Sequence, residues 1–95
     1  MQECMVRLRK NFVDLNGKEM KLTYGLVTKL TQIDGMKIET YGIGIYSDCE
    51  ETFESEAVYD ISPCIEDIEL LIEKLWQFDV TPITLKDIVN DFVEN

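Results

Sequence analysis

Histidine is absent from this chain of 95 residues. Its absence removes the commonest general base and metal ligand, and with them any Ser–His or Cys–His nucleophile pair. No phosphate-binding glycine loop is present either, because Gly42 and Gly44 lack the third glycine of that motif. No pair stands out among the nineteen Asp and Glu residues, so the sequence predicts a protein that is not an enzyme and that holds no cofactor.

Long apolar segments are also absent. No run approaches the roughly 20 apolar residues that a membrane-spanning helix requires. The first residues, Met1-Gln2-Glu3-Cys4, lack the basic segment and the apolar core of a signal peptide. We therefore expect a cytosolic protein, and the length predicts a single domain over residues 1–95.

Strand signals fill the first two thirds of the chain. Residues 4–13 alternate between apolar and polar side chains, which is typical of a half-buried strand. Its apolar phase is broken by Lys10 and otherwise contains Cys4, Val6, Leu8 and Phe12. The same alternation predicts two further strands and a short fourth one, namely Met20–Leu30, Ile38–Tyr46 and Ala57–Ile61.

Turn sequences predict how these strands pair. Asp34-Gly35 is typical of a two-residue hairpin turn, which places Leu26 opposite Ile43. Before it, a three-residue loop, Leu15-Asn16-Gly17 with its glycine left-handed, pairs Val6 with Leu26 and keeps the apolar residues on one face. The predicted core face carries Leu22, Tyr24, Leu26, Leu30, Tyr41, Ile43 and Ile45.

The hydrophobic period changes at Ser62-Pro63, where serine is a good helix N-cap and proline suits the first helical position. The helical face that follows comprises Ile65, Ile68, Leu71, Ile72, Leu75 and Phe78. A second helix is predicted with Thr84 as its cap, and its apolar face comprises Leu85, Ile88, Val89 and Phe92. The predicted fold is α+β, a four-stranded antiparallel β-sheet followed by two C-terminal helices packed on one face (β-β-β-β-α-α).

Three glycines fall on the face of the predicted sheet that lies away from the helices. The registers place Gly25 across from Gly44, and Gly42 across from Val27. These glycines relieve twist or permit curvature of the sheet, or they form an outer-face groove where a ligand or a partner backbone approaches closely. A bacterial regulatory module that acts through this face or through a homodimer is the alternative function that they support.

Cysteine is scarce, and the three present, Cys4, Cys49 and Cys64, are widely spaced. A disulfide-stapled secreted domain normally has an even number of cysteines, so reduced thiols are expected. The predicted strand order brings Cys4 and Cys64 towards one end of the sheet and leaves Cys49 at the other. A structural zinc site usually takes four ligands, so no metal site is predicted here. A small metal-binding protein that uses these cysteines is the second alternative function.

Negative charge is concentrated in the second part of the chain. Residues 1–37 hold seven Lys or Arg and four Asp or Glu, a sum of +3, whereas residues 38–95 hold two and fifteen, a sum of −13, which together give −10. Such a protein repels nucleic acid and anionic membranes and attracts basic surfaces. An acidic loop, Ser47–Ser55, and the first helix supply the candidate partner-binding residues Asp48, Glu50, Glu51, Phe53, Glu54, Glu56, Glu66, Asp67, Glu69 and Glu73.

The C-terminal half contains short motifs at Tyr41-Gly42-Ile43, at Asp60-Ile61-Ser62 and between Pro82 and Phe92. Through them the chain resembles a family of small acidic domains of unknown function in Gram-positive, clostridia-like bacteria. The resemblance implies a compact bacterial cytosolic domain. It supplies no activity and no site residues.

Strong negative charge without catalytic groups favours a non-enzymatic inhibitor that occupies the basic nucleic-acid-binding surface of a nuclease. Phage-encoded anti-nuclease and anti-CRISPR proteins act in this way. The carboxylates would imitate phosphates, and Phe53 and Trp76 would supply aromatic anchors. These carboxylates are either ordinary solvated charges or a binding surface. In the second case, the expected partner is a protein with a basic surface.

Overall fold

Four antiparallel strands form one sheet in the order β1-β2-β3-β4, in a computed structural model that describes residues 4–49 and 52–94, with side chains up to Asp91. The strands are β1 (Cys4–Val13), β2 (Glu19–Ile33), β3 (Met36–Cys49) and β4 (Thr52–Ser62). Two helices follow, α1 (Ile65–Gln77) and α2 (Leu85–Glu94), with a 3-10 turn (Pro82–Thr84) before the second. The predicted α+β order of elements is confirmed.

The helices cover one face of the sheet, with α1 against β1, β2 and β3 and α2 against β4. The core between these two layers is built from Leu22, Tyr24, Leu26, Ile43, Ile45, Ile68, Ile72, Leu75, Val80, Leu85 and Val89. Each such side chain contributes about 1.5–3 kcal/mol on burial. No helix in the described part of the chain is long and apolar enough to cross a membrane.

Two residues predicted to be buried are exposed. Leu30 is 62 % exposed, because the end of the β2–β3 hairpin extends beyond the helices. Phe78 is 76 % exposed, since α1 ends at Gln77 and Phe78 is its C-cap. The side chain of Phe92 lies outside the described residues.

The hairpin registers follow the turn sequences. Leu26 pairs with Ile43, and the two-residue turn brings Ile33 opposite Met36, as predicted. The three-residue loop of the first hairpin is also confirmed, with Gly17 at a φ of +80°. Within it the Asp14 carboxylate accepts the backbone N–H groups of the second loop residue, Asn16, and of Lys18, each at 2.9 Å.

A β-bulge in β1 overturns the predicted pairing of Val6 with Leu26. Val6 lies opposite Gly25, whereas Leu8 lies opposite Tyr24, so Arg7 is an extra residue in the strand. The bulge changes which face each side chain occupies. Cys4 and Val6 therefore lie on the outer face of the sheet, away from the helices, while Leu8 and Phe12 pack against the core.

Lys10 is the polar residue in the core-facing phase of β1, and the structure shows its role. Its ammonium donates a 2.6 Å hydrogen bond to the Trp76 carbonyl oxygen at the end of α1 and forms an ion pair with Asp79. The same ammonium lies 4.7 Å from the centroid of the Trp76 ring, whose indole N–H donates to the Arg9 carbonyl. Lys10 thus holds the negative end of the α1 dipole against the sheet, and Trp76 is a half-buried structural residue.

The predicted acidic loop Ser47–Ser55 is wrong, because β3 continues to Cys49 and β4 already begins at Thr52. Asp48 pairs with Phe53 across the hairpin, and the Phe53 ring stacks on Tyr46 with centroids 6.0 Å apart. Cross-strand pairing of this kind outweighs the low strand propensity of acidic residues.

The start of α1 also differs from the prediction. The helix begins at Ile65, and Cys64 occupies the N-cap position with no side-chain cap hydrogen bond. Ser62 closes β4 instead, and its hydroxyl oxygen accepts the Cys64 backbone N–H at 3.1 Å. Pro63 therefore precedes the helix rather than opening it. Thr84, the predicted cap of the second helix, also bonds elsewhere: its hydroxyl donates to the Thr81 carbonyl oxygen in the turn before α2.

Candidate functional site

The first helix carries the most compact group of candidate residues. Its inner face buries Ile68, Ile72 and Leu75 in the core. Its other side exposes four carboxylates, Glu66, Asp67, Glu69 and Glu73. The i, i+3, i+7 spacing of the three glutamates places them on one side of the helix. We call these four residues the acidic face of α1.

Local contacts hold part of this acidic face in place. The Cys64 thiol donates a 3.1 Å hydrogen bond to Glu66, which together with a backbone N–H lowers the pKa of that carboxyl. The Ser62 hydroxyl lies 3.5 Å from Asp67. Arg7, the bulged residue of β1, pairs with Glu69 at 3.2 Å, so one cation partly neutralises the centre of the face.

The other predicted partner-binding residues lie on the β3–β4 hairpin. Asp48 and Phe53 pair on the outer face of the sheet, where Phe53 is 66 % exposed. Glu54 lies opposite Ser47 and Glu56 opposite Ile45, which places both glutamates on the helix side. Glu56 is 3.6 Å from the ammonium of Lys86. Two further predicted residues, Glu50 and Glu51, lie outside the described residues.

The eight predicted residues that the structure describes therefore do not form one continuous surface. The hairpin group lies near the β3–β4 turn, whereas α1 starts beyond Ser62, which pairs with Tyr41. Asp48 and Tyr41 are seven residues apart on β3, which corresponds to roughly 20 Å along the strand. The residues are separated because β3 and β4 extend through the segment that the sequence predicted as a loop. The acidic face of α1 is the part of the prediction that the structure brings together.

The three outer-face glycines are buried by the chain itself. A methyl group at Gly25 would overlap the Cys4 sulfur, and one at Gly42 would overlap the Val58 carbonyl oxygen. At Gly44 the same methyl would lie 3.3 Å from the Cys4 sulfur. The predicted open groove is therefore filled by β1 and β4, and the glycines permit close approach of these neighbouring strands.

The cysteines occupy three different surroundings. Cys4 lies over Gly25 on the outer face. Its thiol hydrogen-bonds to Tyr46 and, together with burial of the Tyr46 ring, raises the pKa of Tyr46 to about 12. Cys49 ends β3, and Cys64 precedes α1. Over residues 4–49 and 52–94, no three Cys, Asp or Glu side chains are grouped so that they could hold a metal ion. The described residues thus provide no site for the metal-binding alternative.

Comparison with known proteins gives one match. A family model described as a family of unknown function (DUF6514) matches residues 4–95. Neither a curated protein nor a solved structure matches the chain. The match covers nearly the whole chain and carries no activity with it.

Proposed function

We propose that this chain, which belongs to the DUF6514 family of unknown function, is a non-enzymatic domain that binds a basic protein surface through the acidic face of α1. The observation that carries the proposal is the exposure of four carboxylates on one helix of a protein with net charge −10. Charge of one sign on a rigid element raises the association rate with an oppositely charged surface. The lowered pKa of Glu66 extends the range over which that carboxyl is ionised towards acidic pH.

In its finer form, the proposal is that the protein inhibits a bacterial nuclease by occupying its nucleic-acid channel. Such an inhibitor would be a nucleic-acid mimic of the anti-CRISPR kind, of bacterial or phage origin. Along α1, Glu66, Glu69 and Glu73 are separated by about 4.5 and 6 Å of axial rise. One DNA strand carries a phosphate about every 3.4 Å. The helix is therefore less densely charged than DNA, and we expect it to compete through its overall field rather than by matching each phosphate.

Binding across a salt series tests the electrostatic premise. Purified nucleases with basic channels serve as probes, and displacement of a bound DNA fragment gives the readout. The affinity should fall steadily as salt rises, because exposed charges are screened beyond a Debye length of about 10 Å at 0.1 M salt. An affinity that does not change with salt would remove this premise.

A pair of charge-matched variants locates the surface. The test variant combines Glu66→Gln, Asp67→Asn and Glu73→Gln. The control combines Glu19→Gln, Asp34→Asn and Asp87→Asn, three exposed carboxylates away from α1. We expect the test variant to bind at least about tenfold more weakly, and the control to lose less than about threefold. Equal losses would show that net charge, rather than the acidic face, drives binding.

A further inference from the structure

The β2–β3 hairpin projects beyond the rest of the sheet. Pairing between β1 and β2 starts at Cys4 opposite Val27, and pairing between β3 and β4 ends at Tyr41 opposite Ser62. Beyond these rows, residues 29–40 continue as a two-stranded ribbon that forms no ladder pairs with the described part of β1 or β4. We call this ribbon the arm. The long axis of the molecule, 51 Å against 31 and 19 Å, is consistent with this projection.

The arm exposes apolar side chains that a monomer leaves in water. Ile33 is 52 % exposed, Met36 68 % and Ile38 36 %. The register pairs Ile33 with Met36 and Thr31 with Ile38, so these four side chains share the outer face of the arm. An isolated two-stranded hairpin is only marginally stable in water, and a contiguous exposed apolar patch usually marks an interaction surface.

The charge of the arm indicates what covers it. Its charged residues are Lys29, Asp34, Lys37 and Glu39, which sum to zero in a chain whose net charge is −10. A basic partner would gain little from a neutral surface. Two copies of this chain repel each other through most of their surface, whereas at the arm that repulsion is weakest. Helix α1 packs on the opposite face of the sheet, so its exposed acidic face and the outer face of the arm lie on different sides of the molecule.

We propose that the outer face of the arm is the contact surface of a homodimer, in which two arms pack against each other across a two-fold axis. With the axis near the Thr31–Ile38 row, Ile38 meets its counterpart. Ile33 and Met36 then cover the aliphatic stem of Lys29 of the second copy. Such an isologous contact is self-complementary. The arm is short, so the contact falls below the standard size of about 1,600 Å², and the dimer dissociates on dilution.

This dimer is independent of the proposed function, because the acidic face of α1 takes no part in it. It would nevertheless present two acidic helices on one particle. A partner with two basic sites would then bind with higher avidity than the monomer allows.

Sedimentation over a concentration series tests the dimer. From about 1 µM to about 1 mM, the wild-type mass should rise from the monomer value of 11.0 kDa towards twice that value. Amide chemical shifts that change with concentration should cluster in residues 29–40. Added salt should not weaken the association, because the contact is apolar; this separates the dimer from binding through α1.

Lysine substitutions provide the matched comparison. Ile33→Lys and Met36→Lys each lower the net negative charge and thus the general repulsion between copies. A weaker dimer in these variants must therefore come from the contact itself, through lost apolar contact and through repulsion between the new ammonium and Lys29 of the second copy. We expect the dissociation constant to rise at least about tenfold. The control is Leu15→Lys, the same change at a fully exposed leucine in the first hairpin loop, at the other end of the sheet, which should dimerise like the wild type.

Three outcomes would overturn the proposal. The first is a wild-type mass that stays at 11.0 kDa over the whole series. The second is a Leu15→Lys variant that loses the dimer as the arm variants do. The third is concentration-dependent shifts outside residues 29–40. Circular dichroism of each variant separates a lost contact from a lost fold.

Discussion

The Tyr24 hydroxyl donates a 2.7 Å hydrogen bond to the Val80 carbonyl oxygen in the buried core. Tyr24 is fully buried at the centre of β2, and Val80 lies in the segment between α1 and α2. The bond fixes the point at which the chain leaves α1 and returns over β4. Burial, and then the nearby Asp79 carboxylate, raise the pKa of Tyr24 well above its usual value, so the hydroxyl remains a donor at alkaline pH as well.

Replacing Tyr24 by phenylalanine should lower the free energy of unfolding by about 1–3 kcal/mol, because the Val80 carbonyl is left buried without its donor. Urea unfolding monitored by circular dichroism measures the change. Tyr59→Phe, at a tyrosine that is 42 % exposed, is the control and should change stability by less than about 0.5 kcal/mol. An equal effect of the two substitutions would contradict a structural role for the Tyr24 hydroxyl.

Stability should fall at alkaline pH. Folding keeps the phenol of Tyr24 protonated, since its pKa is raised in the folded state, whereas the unfolded state loses that proton near pH 10. Below about pH 10 both states are protonated and this contribution is complete. Above it the free energy of unfolding decreases by up to about 1.4 kcal/mol per pH unit. Urea midpoints of the wild type and Tyr24→Phe, compared across this range, should converge as the pH rises.

Lys10→Met should destabilise the fold by about 1–2 kcal/mol. The substitution preserves the aliphatic stem but removes the ammonium from the Trp76 carbonyl, from the Trp76 ring and from Asp79. Lys21→Met makes the same change of charge at an exposed position of β2 and should have little effect. If both variants unfold at the same urea concentration, Lys10 does not stabilise the end of α1.

Gly42→Ala should destabilise the protein by more than about 3 kcal/mol, because the added methyl group would overlap the backbone of β4 at Val58. Gly44→Ala meets the Cys4 sulfur at 3.3 Å, and this side chain can shift, so a change of no more than about 1 kcal/mol is expected. Thermal unfolding of the two variants gives the comparison. A tolerated Gly42→Ala would mean that β4 does not approach β3 as closely as described.

The hairpins and the order of elements could be predicted because short-range signals set them. Asp34-Gly35 and the loop ending at Gly17 determine two registers by themselves. The bulge at Arg7 could not be predicted in this way, because an alternating pattern looks the same before and after one extra residue. The predicted loop at Ser47–Ser55 failed for a related reason. The acidic residues there indicated a solvent-exposed loop. The stacking of Phe53 on Tyr46 stabilises a strand instead, and it depends on a neighbouring strand that the local sequence does not show.

The candidate site was predicted in composition but not in layout. The i, i+3, i+7 spacing of Glu66, Glu69 and Glu73 could be read directly from the sequence. Pairing of Arg7 with Glu69 and of Lys86 with Glu56 could not, because each pair joins residues far apart in the chain. The arm was not predicted either. Its signal in the sequence is the apolar residues on both sides of Asp34-Gly35, because two short helices cannot cover that end of a long hairpin.

The extra residue in β1 divides that strand into two parts whose side chains alternate out of step. Shortening the chain by Arg7 alone would remove the bulge, so that the pairs of Val6 with Gly25 and of Leu8 with Tyr24 become consecutive and the side chains of β1 keep their faces. Gly25 would keep the sulfur that covers it, whereas Glu69 would lose its guanidinium partner. A single codon deletion would thus straighten the strand and free a carboxylate on the helix while the back of the sheet stays covered.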